Sequence, residues 1–293
     1  MGAMTFVAAI AHADDGERID TPPAEADAAR HAIDRTWLYV DDARIAEPMT
    51  VVGMSSFSYT EVGSSPSRVA SPYPTSYNGF AFNTAQPGGM LSIGGEVGLV
   101  PRVSVVALGQ VGVGGVDGVP NPSAGGIVGL RLRLSPSDWQ HAHLAVSAGY
   151  LREAWSGPVF DEDSGQWLPG SPHGDNGAWI QAAFSGDIQR LRLATSLHAE
   201  HIFWPGRDTL DVMADLGASY RVVDALRLGV EYVGQDLEEA VDSGAERGAR
   251  HFIGPVASLQ LLGDRMTIAA GPSLGLSSTS PALVGRLAVS YGF

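Results

Sequence analysis

Two histidines stand two residues apart at His141 and His143, and His198 with Glu200 repeats that spacing. On an extended strand, residues two apart point to the same side, so each pair presents two ligand or proton-transfer groups on one face. Two imidazoles and a carboxylate could hold zinc or iron. No third ligand lies close in sequence and a further strand separates the pairs, so solvated histidines on a polar face are the plainer reading. Serine, histidine and acidic residues all occur, the ingredients of hydrolysis. No Gly-x-Ser-x-Gly elbow or similar local context is expected, and no nucleophile is singled out. Asp161-Glu162-Asp163-Ser164-Gly165 is an oxygen-rich run of the kind that binds Ca²⁺, but the twelfth position, where a bidentate Glu would close the shell, is Pro172. Gly112-Val113-Gly114-Gly115 lacks the following helix that a phosphate cradle needs. The sequence thus implies no metal and no cofactor.

Composition narrows the setting. The 293 residues carry a formal charge of −14, with only 17% charged against 44% hydrophobic. All 18 basic residues are Arg, and none forms a concentrated basic stripe, which argues against nucleic acid. With no Cys, disulfides, thiolate nucleophiles and Cys-ligated zinc are excluded. A soluble globular domain usually carries nearer a quarter charged residues, yet this deficit is not accompanied by any run of the roughly twenty apolar residues that a spanning helix requires. The apolar residues instead alternate with small or polar ones, as in a membrane barrel.

That alternation is the dominant signal from Met49 onward. Leu210, Val212, Ala214, Leu216, Ala218 and Tyr220 share one face, while Asp211, Met213, Asp215, Gly217, Ser219 and Arg221 share the other. Twelve such stretches are expected, at 49–60, 88–99, 101–113, 124–135, 139–152, 176–188, 189–205, 208–222, 224–236, 248–262, 264–276 and 281–293. Connections after the second, fourth, sixth, eighth and tenth are tight. Those after the first, third, fifth and ninth are long, with 61–87 and 153–175 the longest; those after the seventh and eleventh are shorter but polar. Regular short–long alternation is what a barrel with one periplasmic and one external end requires. Phe57, Tyr59, Tyr150, Trp179, Phe203, Trp204, Tyr232 and Phe252 fall toward the long-loop ends, and Tyr220, Tyr291 and Phe293 toward the other, as two interfacial girdles would. Pro255 and Pro272 sit inside expected strands and demand bulges or different boundaries.

The final Leu287-Ala288-Val289-Ser290-Tyr291-Gly292-Phe293 resembles the C-terminal strand of bacterial outer-membrane proteins, apolar outward and ending in Phe. The resemblance implies a closed, all-β, antiparallel, up-and-down transmembrane barrel of about twelve strands over 49–293. It also implies export to the outer membrane, contact with its lipid, and recognition of the last strand by barrel-insertion machinery. Met1 to Ala13 reads as a signal peptide without its positive start, cleaved after Ala11-His12-Ala13. Residues 14–48 form an acidic periplasmic extension, expected to be partly disordered because its composition gives it little to bury. It could also enter the lumen as a plug. The polar faces place Glu96, Arg131, Arg133, His141, His143, Arg192, His198, Glu200, Asp211, Asp215, Arg221, Arg227, Glu231 and Arg286 toward the lumen. Interleaved charges there would line a pore for small hydrophilic solutes, or pair off and fill a narrow barrel. A lipid-modifying barrel enzyme, as some outer-membrane barrels are, and a structural or surface-interaction barrel are the alternatives.

Overall fold

Because side chains alternate across a strand, residues one apart meet opposite environments, and this chain exposes the apolar member of each pair. Phe57, Ile93, Leu130, Ile180, Leu216 and Leu228 are 48–61% exposed, while Ser56, Ser92, Arg131, Gln181, Asp215 and Arg227 beside them are 1–7% exposed. A soluble protein sorts its residues the other way. Apolar outside and polar inside is the arrangement of a wall standing in hydrocarbon.

The computed structural model describes residues 43–61, 88–116, 119–136, 139, 141–155, 159–161, 165–168, 173–203, 210–238, 249–262 and 265–293. The strands are β1 (Val51–Glu61), β2 (Gly88–Val100), β3 (Val103–Val116), β4 (Val119–Arg133), β5 (Ala142–Trp155), β6 (Val159–Asp161) and β7 (Gln166–Leu168). They continue as β8 (His173–Ile188), β9 (Leu191–Ile202), β10 (Asp211–Val223), β11 (Leu226–Gln235), β12 (Arg250–Leu261), β13 (Met266–Gly275) and β14 (Leu283–Gly292). All but β6 and β7 close into one twelve-stranded antiparallel barrel, β1 pairing with both β2 and β14 and β5 with β8. Closure satisfies every strand edge, which lipid cannot do. β6 and β7 form a small hairpin within the β5–β8 connection, with Asp161 paired to Gln166; residues 162–164 of the oxygen-rich run lie outside the described residues.

The tight connections 101–102, 134–141, 189–190, 224–225 and 262–265 all lie at one end, together with the start of β1 and the end of β14. In this class that end faces the periplasm. The long loop expected after the third strand is a correction: β3 and β4 continue as a ladder to Val116↔Val119, with Gly115↔Pro120 and Val113↔Pro122. Pro120 and Pro122 are tolerated because β5 pairs with β4 only from Ser123 onward, leaving that side of β4 free of a partner to which a proline would owe a donor.

Pro255 and Pro272 also have a definite answer, and it is neither a bulge nor a misplaced boundary. The β12–β13 ladder runs Phe252↔Gly275 and Ile253↔Leu274, then resumes in step at Ala257↔Ala270. Both prolines fall in that one gap while Pro255 keeps Val230 on β11 and Pro272 keeps Gly285 on β14. The two missing donors are thus spent on a single interface. The girdle expectation needs correcting as well. Phe57, Tyr59, Tyr150, Phe203, Tyr220 and Phe293 are 44–75% exposed on the outer wall, but Trp179 at 4% and Phe252 at 0% point inward. On β8 the outward partners of Trp179 are Ala178 and Ile180, a face too mixed to reveal the direction from sequence.

The chain ahead of β1 enters the barrel. Ala43 (0% exposed) packs on Ala145 of β5 and Ala183 of β8, and Ala46 (2%) on Val52 and Met54 of β1. Residues 43–47 therefore cross the lumen in its periplasmic half. Pro48 forms a parallel bridge to Gly98, and Met49 N donates to Gly98 O at 2.9 Å. Gly98 is needed there, since a Cβ would stand 1.9 Å from the Glu47 carbonyl oxygen.

Candidate functional site

Eight strands enclose a space that side chains just fill; twelve enclose more. The interior of this barrel is occupied by long cationic side chains, their carboxylate partners, and the entering segment. Glu96, fully buried, accepts hydrogen bonds from Ser104 Oγ at 2.6 Å and from Ala46 N at 2.9 Å. Its second oxygen lies 3.7 Å from Arg131 Nη1. One carboxylate thus ties together β2, β3, β4 and the segment. Elsewhere on the periplasmic rim, on β8, Asp187 takes a two-pronged contact from Arg192, 2.8 Å to Nε and 3.0 Å to Nη2, with Arg227 Nη2 at 3.9 Å. Fork-to-fork pairing of this kind fixes orientation as well as charge.

Midway, Ser196 donates to Asp215 at 2.9 Å across the β9–β10 ladder, and Arg286 Nη2 reaches Ser56 Oγ at 3.2 Å. Glu231 is buried at the same depth on β11. Higher up, His198 Nε2 and Glu200 Oε1 are 2.6 Å apart, and Trp179 lies parallel to the imidazole with ring centres 5.8 Å apart. The two-apart spacing noticed in the sequence is therefore a bonded pair. His143 is half-buried on the inward face of β5 near the periplasmic rim, whereas His141 is exposed at the turn before β5 and Asp211 is half-buried at the start of β10. The fold does not bring the two histidine pairs together, and among the described residues no three His, Asp or Glu side chains are placed to share a metal ion.

Several interior residues escaped the sequence reading. Asp187, Gln110, Glu153, Gln181, Gln235 and Arg250 face inward, and their alternation with outward apolar neighbours would have found them. The outer half also holds apolar residues inside the barrel: Leu108, Ile127, Leu151, Trp179 and Ile202 on one wall, and Met90, Met213, Val233, Phe252 and Val284 on the rest. Apolar residues on both faces read as a plain hydrophobic run, so the sequence hid them.

Among the described residues no serine sits at a strand-to-helix elbow. Gly271-Pro272-Ser273-Leu274-Gly275, a Gly-x-Ser-x-Gly pentapeptide passed over in the sequence reading, lies within straight strand β13, and Ser273 is buried opposite Val284. A nucleophile elbow needs a turn into a helix. At the outer rim Ser280 Oγ meets the backbone of His251, 2.8 Å from its N, rather than the ring, whose Nδ1 pairs with Tyr232 Oη at 2.7 Å. Ser277 and Thr279 likewise bond the Ala249 carbonyl. These hydroxyls tie the β13–β14 loop to β12.

Beyond β11 the chain folds back so that Leu237 N donates to Val212 O at 3.0 Å and Glu238 accepts from Val212 N at 3.4 Å. Burial, reinforced by Asp236 and Asp211, pushes the Glu238 carboxyl up to about 7. A carboxyl raised on folding contributes its stability below the unfolded value and loses it as pH climbs through the folded one. Protection of the Leu237 amide from exchange, corrected for intrinsic rate, should fall between pH 4.5 and 7. Glu238→Gln should flatten that dependence, and an unchanged profile would refute the assignment.

A closed antiparallel barrel, polar within and apolar without, with its short turns gathered at one end, is an outer-membrane β-barrel. Solved structures agree on the fold. The beta domain of the Bordetella autotransporter BrkA matches with a TM-score of 0.50 at 12% identity, over 83% of this chain and 98% of its own. An outer membrane channel from Pseudomonas putida F1 matches with a TM-score of 0.50 at 12% identity, over 84% of this chain and 96% of its own. The translocator domain of the autotransporter NalP from Neisseria meningitidis gives 0.49 at 14% identity, over 83% and 88%. No protein-family model and no curated protein sequence matches the chain.

Proposed function

We propose that the barrel is a gated pore for small hydrophilic solutes, closed in this state by residues 43–47. The carrying observation is that a length of main chain occupies a twelve-stranded lumen otherwise lined by charges of both signs. Long arginines and a crossing segment together fill what strand number alone leaves empty. With the segment withdrawn, Glu96 loses the Ala46 amide and, with Arg131, borders the vacated space. Charges so placed select solutes by sign and size. One solved relative by fold is described as an outer membrane channel, which is consistent with this reading.

Gly98 offers the direct test. In Gly98→Ala the new methyl would collide with the Glu47 carbonyl and push the segment from its seat. Full-length protein in a planar bilayer should conduct rarely, and the variant should show discrete steps with a markedly higher open fraction. Steps whose ion preference changes in Arg131→Gln would assign the filter. Folded protein that inserts yet stays silent, in wild type, in Gly98→Ala and after deletion of residues 1–47, would remove the pore reading in favour of a structural barrel.

A further inference from the structure

Among the described arginines of the barrel strands, Arg152 alone stands on the outward face. It is exposed on β5, two residues beyond Tyr150, whose ring is 44% exposed on the lipid-facing wall. At about 3.3 Å per residue on a strand tilted by roughly 40°, its Cα lies about 5 Å nearer the outer solvent than that aromatic girdle. This is headgroup depth, where a long side chain keeps its stem on apolar surface and its charge in a polar layer. Directly opposed residues on neighbouring strands share a face. Arg152 is opposite Asn176 on β8, and Tyr150 is opposite Ala178, which in turn is opposite His201 on β9. Asn176 Oδ1 accepts from Arg152 Nη1 at 2.8 Å and from the Tyr150 hydroxyl, which holds the guanidinium against the wall. The His201 ring packs edge-on against exposed Phe203, with centres 5.2 Å apart. Ala178 thus leaves a dip between the rings of Tyr150 and His201, and Ala148, Ile180 and Ala199 continue the face one step deeper into the bilayer.

Among the described residues Arg152 bonds one side chain, a neutral amide, and no carboxylate is paired with it. Gly174, next along the outward face of β8, puts no side chain over Nη2, where a Cβ would stand 3.4 Å away. A guanidinium so placed offers its remaining N–H groups to two oxygens of a phosphate at once. The chain as a whole carries −14, so an anionic headgroup gains nothing from the general field and its attraction must be local. We propose that Arg152, Asn176 and the dip at Ala178 form a binding site for a phosphate-bearing lipid of the outer leaflet. The phosphate sits on Arg152 and Asn176, and an acyl chain lies along Ala178 between Tyr150 and His201. The site is on the outer wall, so it stands whether or not the lumen conducts.

Full-length protein in neutral detergent, titrated with dioctanoyl phosphatidic acid and followed by native mass spectrometry, should hold one lipid tightly. Dioctanoylglycerol has the same chains without the phosphate and should bind about tenfold more weakly, as should phosphatidic acid to Arg152→Gln. Arg190→Gln removes an equal charge from a periplasmic turn and should leave the affinity unchanged. Ala178→Trp fills the dip without altering a charge and should also lose the lipid, so it keeps the test open if Arg152→Gln does not fold. A site for free anion would ignore Ala178→Trp and would surrender the lipid to millimolar inorganic phosphate, and either result overturns a lipid site. Equal affinity in wild type, Arg152→Gln and Ala178→Trp would reduce the contact to ordinary solvation by the bilayer and overturn the proposal outright.

Discussion

Glu96→Ala should cost about 3–5 kcal/mol, the effect of stranding one partner of a buried ion pair. Glu96 is fully buried and Arg131 is 2% exposed, so neither can turn to water when its partner is lost. The change also removes the acceptor for Ser104 Oγ and for the Ala46 amide. Two effects should therefore appear together in urea unfolding of lipid-reconstituted protein and in protease digestion. The midpoint should fall, and the chain around residues 43–47 should become cleavable. Arg131→Met on the Glu96→Ala background should restore much of the stability, because an apolar side chain of similar length leaves no buried charge behind. It should not restore the segment, which needs the carboxylate itself. If the double variant is no more stable than the single, the cost lies in the lost hydrogen bonds and the ion pair is incidental.

Leu216→Arg, at the centre of β10 with its side chain 54% exposed on the outer wall, should destabilise the folded barrel by about 2–4 kcal/mol in lipid. Were the same wall in water, an exposed substitution of this kind would stay within about 0.5 kcal/mol. Tyr220→Arg, on the same face toward the periplasmic rim, should cost only about 0–1 kcal/mol, because the penalty falls off away from the bilayer centre. Equal effects at the two positions would contradict a wall that spans a membrane. The comparison uses one strand and one substituting residue, which removes differences in propensity from the answer.

The pairs Leu216 and Asp215, or Leu130 and Arg131, show why so much of the wall was readable from the chain. Strand alternation is a local property with a period of two, so the inward or outward sense of Arg131, Arg192, Asp215 and Arg227 follows from neighbours in sequence. Closure follows too, since tight turns at every second connection leave few topologies. Trp179 and Phe252 were misplaced because a large aromatic on a weakly alternating strand carries no local sign of its direction. The extension of β3 and β4 beyond the expected 101–113 and 124–135 was not legible, because tolerance of Pro120 and Pro122 depends on where β5 begins, a fact about another strand.

The twelve barrel strands and their order, the gathering of tight turns at one end, and the sense of the charged face are thus decided by the sequence taken a dozen residues at a time. What fills the lumen is not. The contact of Ala46 with Glu96, 50 residues apart, and of Arg286 with Ser56, 230 apart, exist only once the wall has closed with its particular tilt and register. Likewise the meeting of Pro255 and Pro272 in one gap arises from stagger between strands that periodicity along any single strand cannot express. Local alternation determines a wall with two faces; only closure in three dimensions decides how the inner face meets itself.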